Sequence, residues 1–468
     1  MKTKLLLFAS FCLVTIAKAQ EQPISLSLEQ AIVYALENSY NSKAAKNDIV
    51  AAKETVWETT ATGLPQVNAN IDYQNFIKQP VSLLPAAAFD NREAVVKTVE
   101  DFFNINRQSS PPSPEGFLPV VFGTEQNINA GVTLSQLLFD GSYLVGLQAS
   151  RTFLNISKQA EEKTDLLTRE SVINAYGNVL VAENSIEILQ KNITILQKSY
   201  NDAKKIFENG FNEEEDVEQL EITLGSLKNQ LYNLKRMKEI AYQMLNLSLG
   251  QKIDTPVVLT DSLDSLVSEN IDLGLFKKEF NAGEHIDFKI AENDRESKRL
   301  MMKLEQSKAL PSLNAFINYG TQGFSNTFTF LNSSQEWFQT SLFGINVRVP
   351  IFSSFKRSSK TKQAKIALET ADIRLEEIKQ QLNLQVKNAK NEYQASIDNY
   401  QTNKRNVNLA ERIEKKQRIK FFEGISTSFD LSQAQNQLYT QQQNYIQSML
   451  QVIAKKAALE NALNIPIN

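Results

Sequence analysis

The sequence predicts a mixed α+β chain built twice over from one unit, in which pairs of amphipathic strands alternate with long helical hairpins. Three observations predict it. The ten residues LPQVNANIDY from Leu64 to Tyr73 return as LPSLNAFINY from Leu310 to Tyr319, on the frame L-P-x-x-N-A-x-I-x-Y, and an echo of this kind marks internal repetition. After each Leu-Pro the apolar residues keep one parity, Val67, Ala69, Ile71 and Tyr73 in the first copy and Leu313, Ala315, Ile317 and Tyr319 in the second. That is the period of a strand with one apolar and one wet face, and Phe316 alone breaks it. Finally, neither Gly nor Pro occurs from Ile351 to Glu423, nor between Gly424 and Pro466. Helices of those lengths extend on the order of 100 Å and 60 Å at ~1.5 Å per residue, longer than an ordinary globule holds.

Residues 1–19 read as an export signal: Lys2 and Lys4, the apolar run LLLFASFCLVTI, then Ala17-Lys18-Ala19 as a small-x-small cleavage site, with the mature chain starting at Gln20. The apolar run is short of the ~20 residues a spanning helix needs. The only cysteine, Cys12, lies inside it, so the exported chain has no disulfide and no thiol nucleophile. No later segment approaches ~18 consecutive apolar residues, so a crossing of the membrane requires a closed β-barrel. The formal net charge of -3 argues against nucleic acid or a polybasic membrane-surface role.

The first repeat is placed at 20–250. Its opening helix is signalled by Ser27 as cap, Glu29 and Gln30 in the first turn, and the stripe Ala31, Ile32, Ala35 and Leu36. It continues to Gly63 with a break near Asn38 to Asn41, and Leu64 and Pro65 mark the junction to a strand at 65–77. Between Pro80 and Thr124, six prolines forbid one regular element and predict a long loop. Alternation returns in a strand at 127–139, with Ile128, Ala130, Val132 and Leu134 opposed to Asn127, Asn129, Thr133 and Ser135.

Residues 251–284 are expected to link this repeat to a second at 285–468. There Leu310 and Pro311 are the matching junction, before strands at 311–320 and 343–352. The distance from Leu-Pro to the closing Phe139 or Phe352 differs by about 33 residues between the halves, the size of the extra loop. A long helix follows, in which Leu368, Ala371, Leu375, Ile378, Leu382, Val386, Ala389, Tyr393, Ile397 and Tyr400 advance by threes and fours. That spacing keeps one narrow face turned to neighbouring helices laid alongside.

The helices turn back at matched points, FENGFNEEEDVEQLE and FFEGISTSFDLSQAQ, where Asp216 and Asp430 each lie six residues after Gly210 and Gly424. Gly ends a helix where φ turns positive, and Asp suits the start of the next. Two readings of the Asp pair stand side by side: solvated helix starts, or a cation-favouring constriction at the end of a tube. Tyr73 and Tyr319 likewise suit either a core or the aromatic girdle of a membrane barrel, the girdle being favoured.

Catalytic chemistry is poorly served. His285 is the only histidine, with no partner motif for a triad or a metal site, and it reads as an ordinary residue of the inter-repeat segment. No phosphate-binding loop is present. No catalytic residue, metal site or cofactor is expected, and transport energy would come from another protein.

These features together resemble the TolC-like outer membrane efflux proteins. The resemblance rests on SLEQAIVYALENS, on the helix-ending Leu-Pro before an alternating strand in each half, on TLSQLLFDG and VPIFSSF leading into long helices, and on the two Gly-x5-Asp turns. It implies a homotrimer whose chains each give four strands to a twelve-stranded outer-membrane β-barrel and long hairpins to a periplasmic α-barrel. It also implies outer-membrane lipid, a periplasmic adaptor protein and an energised inner-membrane transporter of the resistance-nodulation-division (RND) or ABC class as partners. Carried over residue by residue, Asn209, Gly210, Phe211 and Asn212 with Glu423, Gly424, Ile425 and Ser426 would be adaptor-contacting tips. Asp216, Asp430, Gln433 and Phe421 would surround the constriction. Gln433 stands where the family pattern has a second aspartate, and Ser426 and Phe421 where an arginine and a tyrosine help lock the closed state, so Asp216 is expected to lack those partners. Four strands cannot close a barrel alone, since about eight is the lower limit, so spanning requires assembly. The leading expectation is an exit duct for efflux or type I secretion; the alternative is a periplasmic structural coiled-coil or adhesin-like protein.

Overall fold

The computed structural model describes residues 24–106, 109, 112–210 and 213–465; the expected export signal lies outside them. The chain divides into two compact units. One is helical and comprises Met1–Val56, Gln148–Met302 and Thr361–Asn468; the other carries the main sheet and comprises Trp57–Leu147 and Lys303–Lys360.

In order, the elements are β1 (Ile24–Leu26), α1 (Leu28–Asn38), α2 (Tyr40–Thr62), β2 (Gln66–Asn75), β3 (Val81–Pro85), α3 (Arg92–Phe103), β4 (Phe117–Val121), β5 (Gln126–Asp140), α4 (Gly141–Glu208) and α5 (Glu214–Leu249). Then come β6 (Val257–Leu259), α6 (Leu263–Glu269), α7 (Ile286–Ser307), β7 (Ser312–Ser325), β8 (Trp337–Arg348), α8 (Lys356–Phe422) and α9 (Ser428–Ala462). No described helix is long and apolar enough to cross a membrane.

Local chemistry sets the helix ends. Ser27 and Gln30 form a reciprocal capping box at α1, satisfying two otherwise orphaned donors. The expected break falls at Ser39, whose ψ of 148° leaves the helix and whose Oγ accepts the Ser42 N–H to restart it. At the far end of α5, Gly250 takes φ +75° and a Cβ there would lie 2.2 Å from the Asn38 carbonyl. Only glycine meets both demands.

Within the helical unit the ten stripe residues from Leu368 to Tyr400 are all buried or half-buried, as a 3.6-residue period requires. The main core gathers Val172, Tyr176 and Val179 of α4, Leu245 and Leu249 of α5, Tyr393 and Ile397 of α8 and Ile446 and Ile453 of α9. A second cluster, toward the turns, holds Leu189, Leu196, Leu220, Leu224, Phe421 and Leu431. Residues 251–284 are folded into the main core, where Val257, Leu263, Val267 and Leu275 are buried. Two buried tyrosines fasten this stretch. Tyr176 Oη lies 3.0 Å from the Leu26 carbonyl and 3.0 Å from the Asp261 carboxylate, and Tyr393 Oη donates to the Asn270 carbonyl at 2.7 Å while accepting the Asp272 N–H.

The sheet unit holds a four-stranded sheet in the order β2-β5-β7-β8, antiparallel throughout. Two strand expectations need correction. The third strand runs on to Ser325, and the fourth covers Trp337–Arg348 rather than 343–352. Pro350 has no N–H to give to a ladder; the chain peels away there, and the Arg357 guanidinium takes up the carbonyls of Pro350 and Ile351. The expected long loop between Pro80 and Thr124 is also more ordered than its prolines suggested. It holds the antiparallel pair β3–β4, registered Val81 to Val121, with α3 between. Pro85 and Pro119 are tolerated because a two-stranded ribbon offers free edges.

Candidate functional site

Strand registry gives the sheet two chemically distinct faces. On one, the row Val67, Leu134, Ile317 and Phe343 and the row Ala69, Val132, Tyr319 and Ser341 are cross-strand partners. On the other lie the row Asn68, Thr133, Asn318 and Leu342 and the row Asn70, Gly131, Gly320 and Thr340. Asn318 Nδ2 donates to Thr133 Oγ1 at 2.7 Å, a cross-strand bond that ties polar side chains to each other on that face.

Phe316, the exception to the alternation, is explained on the polar face. It pairs with Gly344, and a Cβ on that glycine would sit 2.5 Å from the Phe316 ring. The outer end of the aromatic ring therefore occupies the space a side chain would take and covers the glycine's bare backbone. Tyr73, expected in a girdle, meets Phe328 and Phe330 edge-on at centroid distances of 5.8 and 6.0 Å. Phe330 in turn covers Gly323. Tyr319 stands exposed on the apolar face.

The helix-to-strand junctions are built alike. The N–H of Leu64 returns to the Ala61 carbonyl and that of Leu310 to the Ser307 carbonyl, tight last turns before Pro65 and Pro311. Gln136 Nε2 donates to the Gly63 carbonyl. Asp140 Oδ1 accepts the N–H groups of Ser142 and Tyr143, capping α4 as the strand ends.

The two helical turns lie together in the helical unit. Gly210 and Gly424 take φ +77° and +71°. At the second turn the Ile425 N–H reaches the Lys420 carbonyl and the Gly424 N–H the Phe421 carbonyl, the paired bonds of a left-handed helix stop. Asn209, Gly210, Glu423, Gly424 and Ile425 are exposed and Ser426 half-buried; Phe211 and Asn212 lie outside the described residues. Thr427 caps α9 in a reciprocal box with Asp430, whose Oδ2 also receives the Thr427 hydroxyl. Asp216 Oδ1 accepts the Ser428 N–H across the two turns at 3.0 Å, and Thr223 Oγ1 meets Ser432 Oγ at 3.1 Å.

The structure thus brings Asp216 and the start of α9 together, with the Ser428 backbone N–H as partner. Thr427, Ser428 and Ser432 were missed from the sequence; the T-x-x-D spacing of a capping box at Thr427 was the available signal. Phe421 is buried in the second cluster against Phe422, while Gln433 is exposed. His285 is buried at the start of α7, where Nδ1 accepts the Asp287 N–H, and burial pushes its pKa below the ordinary 6.5.

The sequence profile of the family described as Outer membrane efflux protein matches residues 104–251 and 283–464, more than half of the chain. The chain belongs to this family. Members of the outer membrane efflux protein family are channels and not enzymes, and this chain is accordingly an efflux channel of the cell outer membrane. It is 24% identical over 361 residues to the Outer membrane protein TolC of Vibrio cholerae, covering 75% of this chain and 79% of that protein. Its fold is similar to that of the outer membrane protein VceC of Vibrio cholerae, at 16% identity and a TM-score of 0.66, covering 94% of this chain and 97% of the other. It is similar also to the CmeC outer membrane channel of Campylobacter jejuni, at 15% identity and a TM-score of 0.69, covering 93% and 85%.

Proposed function

We propose that three copies of this chain form one passive exit duct, a twelve-stranded β-barrel in the outer membrane continued by a periplasmic α-barrel. A periplasmic adaptor couples it to an energised inner-membrane transporter of the RND or ABC class. The observation that carries the reading is the sheet: one face apolar, the other rich in amides, and edge strands β2 and β8 each paired on one side only among the described residues. In lipid every backbone polar group needs a partner, and four strands are about half the smallest closed barrel, so the edges must be met by other copies. The sequence echo and the twofold succession of helix, strand pair and helical hairpin support duplication of one ancestral unit, with export directed by residues 1–19.

In this reading the apolar face meets outer-membrane lipid, the amide face lines the lumen, and the turns around Gly210 and Gly424 are the tips that meet the adaptor. Asp216 and Asp430 stand nearest the constriction; both are half-buried, each carboxylate also serves a helix start, and the two roles are compatible because a carboxylate has more lone pairs than these bonds use. The duct is tested by isolating the protein from outer membranes and recording in planar bilayers. A detergent-resistant trimer with single-channel conductance is expected; a soluble, non-conducting monomer sinks the reading. For the tips, Gly424→Trp strains a left-handed residue exposed at the turn and is expected to weaken adaptor docking while trimers persist; unaltered efflux in that variant counts against the assignment.

A further inference from the structure

We infer that Asp72 sets the charge preference of the sheet segment of the channel, amid ladder rows otherwise made of uncharged side chains, so that this segment favours neutral polar and cationic cargo over anionic cargo. The inference rests on the reading that the amide face lines the lumen. Along that face, from the row of Gln66, Ser135, Phe316 and Gly344 to the row of Gln74, Asn127 and Phe324, registry places amides, hydroxyls, glycines and a few apolar groups. Asp72 is the single charged side chain in those rows. It is exposed, and Asn70 Nδ2 donates to its Oδ2 at 2.8 Å, which positions the carboxylate without cancelling its charge. Its cross-strand row continues through Asn129, Gln322 and Phe338, none of which can neutralise it.

Exposed Lys78, past the end of β2, lies six residues on from Asp72, up to roughly 20 Å away at ~3.3 Å per residue and about two screening lengths at 0.1 M salt. Within the ladder rows, distance decides that the nearest cation on this face does not offset it. Arg348 pairs with Ser312 at the end where strands meet helices, ten residues along β7 from the Gln322 row. At ~3.3 Å per residue that is roughly 33 Å, about three screening lengths at 0.1 M salt. Glu125, just past the ladder at the Asp72 end, where its carbonyl accepts the Phe76 N–H, carries the same sign. Elsewhere the lining offers carboxamides and the bare backbone of the paired Gly131 and Gly320, groups that exchange hydrogen bonds with neutral polar solutes as water does.

The test is ion permeability in planar bilayers under a salt gradient. The wild type is expected to favour K+ over Cl−, Asp72→Asn to lower that ratio by about twofold or more, and Asp72→Lys to lower it further, a long-range effect of one charge per copy repeated around a narrow lumen. Because Cys12 is the only cysteine and lies in the expected export signal, single cysteines report the facing. Asn70→Cys is expected to react with a charged, water-borne methanethiosulfonate and to raise cation preference when the added group is anionic, whereas Ile71→Cys stays unreactive. If Asn70→Cys reacts while Asp72→Asn leaves the permeability ratio unchanged, the Asp72 assignment is overturned and the lumen reading stands. If Ile71→Cys reacts in place of Asn70→Cys, or no variant conducts, the lumen reading falls and takes this inference with it.

Discussion

Gly344 and Phe316 are a pair that neither residue announces alone. The glycine leaves room and the ring fills it, so Gly344→Ala places a Cβ 2.5 Å from the Phe316 ring and forces one of them to move. Overpacking of this kind costs about 1–3 kcal/mol. A lower thermal midpoint is expected for Gly344→Ala, restored when Phe316→Leu is added; equal midpoints for Gly344→Ala and wild type would show that the ring is free to swing away. Two buried titratable groups of the helical unit act on stability with opposite signs. Burial raises the Glu414 carboxyl above its ordinary 4.5, with Arg418 opposing and Gln435 beside it, so the folded state holds its proton longer and stability falls as pH rises from 4.5 through the shifted value. Burial depresses His285 below 6.5, so the unfolded chain binds the extra proton and stability falls as pH drops below that value. Glu414→Gln is therefore expected to raise the unfolding midpoint at pH 7 and to bring little gain at pH 4, as followed by circular dichroism. Neither burial could be read from the sequence, since Glu414 sits in a charged run, KKQR just beyond it, that looks wholly solvated.

At the level of elements, the helical turns are where sequence and structure agree most closely. Both glycines were placed at positive φ from their position alone, and the stripe from Leu368 to Tyr400 faces inward as its spacing required. The capping box of Thr427 and Asp430 is expected to contribute about 0.5–2 kcal/mol, so Thr427→Ala should lower the thermal midpoint, with Thr427→Ser close to wild type. Asp216 gives a sharper contrast, because its partner is a backbone N–H. Asp216→Asn keeps an oxygen acceptor for Ser428 and should leave the turns joined, while Asp216→Ala removes it; more frequent channel opening in Asp216→Ala than in Asp216→Asn is the expected result. The strand ends were less legible. The run FGINVRVPIF alternates through Ile351, yet pairing stops at Arg348 because a ladder depends on a donor that Pro350 lacks. Likewise the prolines between Pro80 and Thr124 hid a strand pair, since Pro is excluded from central strands but not from the free edges of a ribbon.

For the whole molecule, the amphipathic sheet and the β2 and β8 edges, each paired on one side only among the described residues, make the single chain an incomplete object in lipid. Cross-linking through cysteines placed on β2 and β8 is accordingly expected to join neighbouring copies, Ile71→Cys with Ile345→Cys for example, and absence of any cross-linked species in native membranes would contradict closure through those edges. The sequence by itself determined the periodicities: two alternating strands per half, four long helices, left-handed stops at Gly210 and Gly424, and the lack of any apolar helix fit to span. These follow from spacing and backbone stereochemistry, which act over a few residues and are written in the order of the chain. Only the tertiary structure decided which residues share a row across strands, that Phe316 covers Gly344, that Asp216 serves the start of a helix more than two hundred residues away, and that residues 251–284 belong to the core. Such pairings depend on registry and packing between distant segments, where a shift of one residue exchanges the two faces of a strand, and no local pattern fixes that choice.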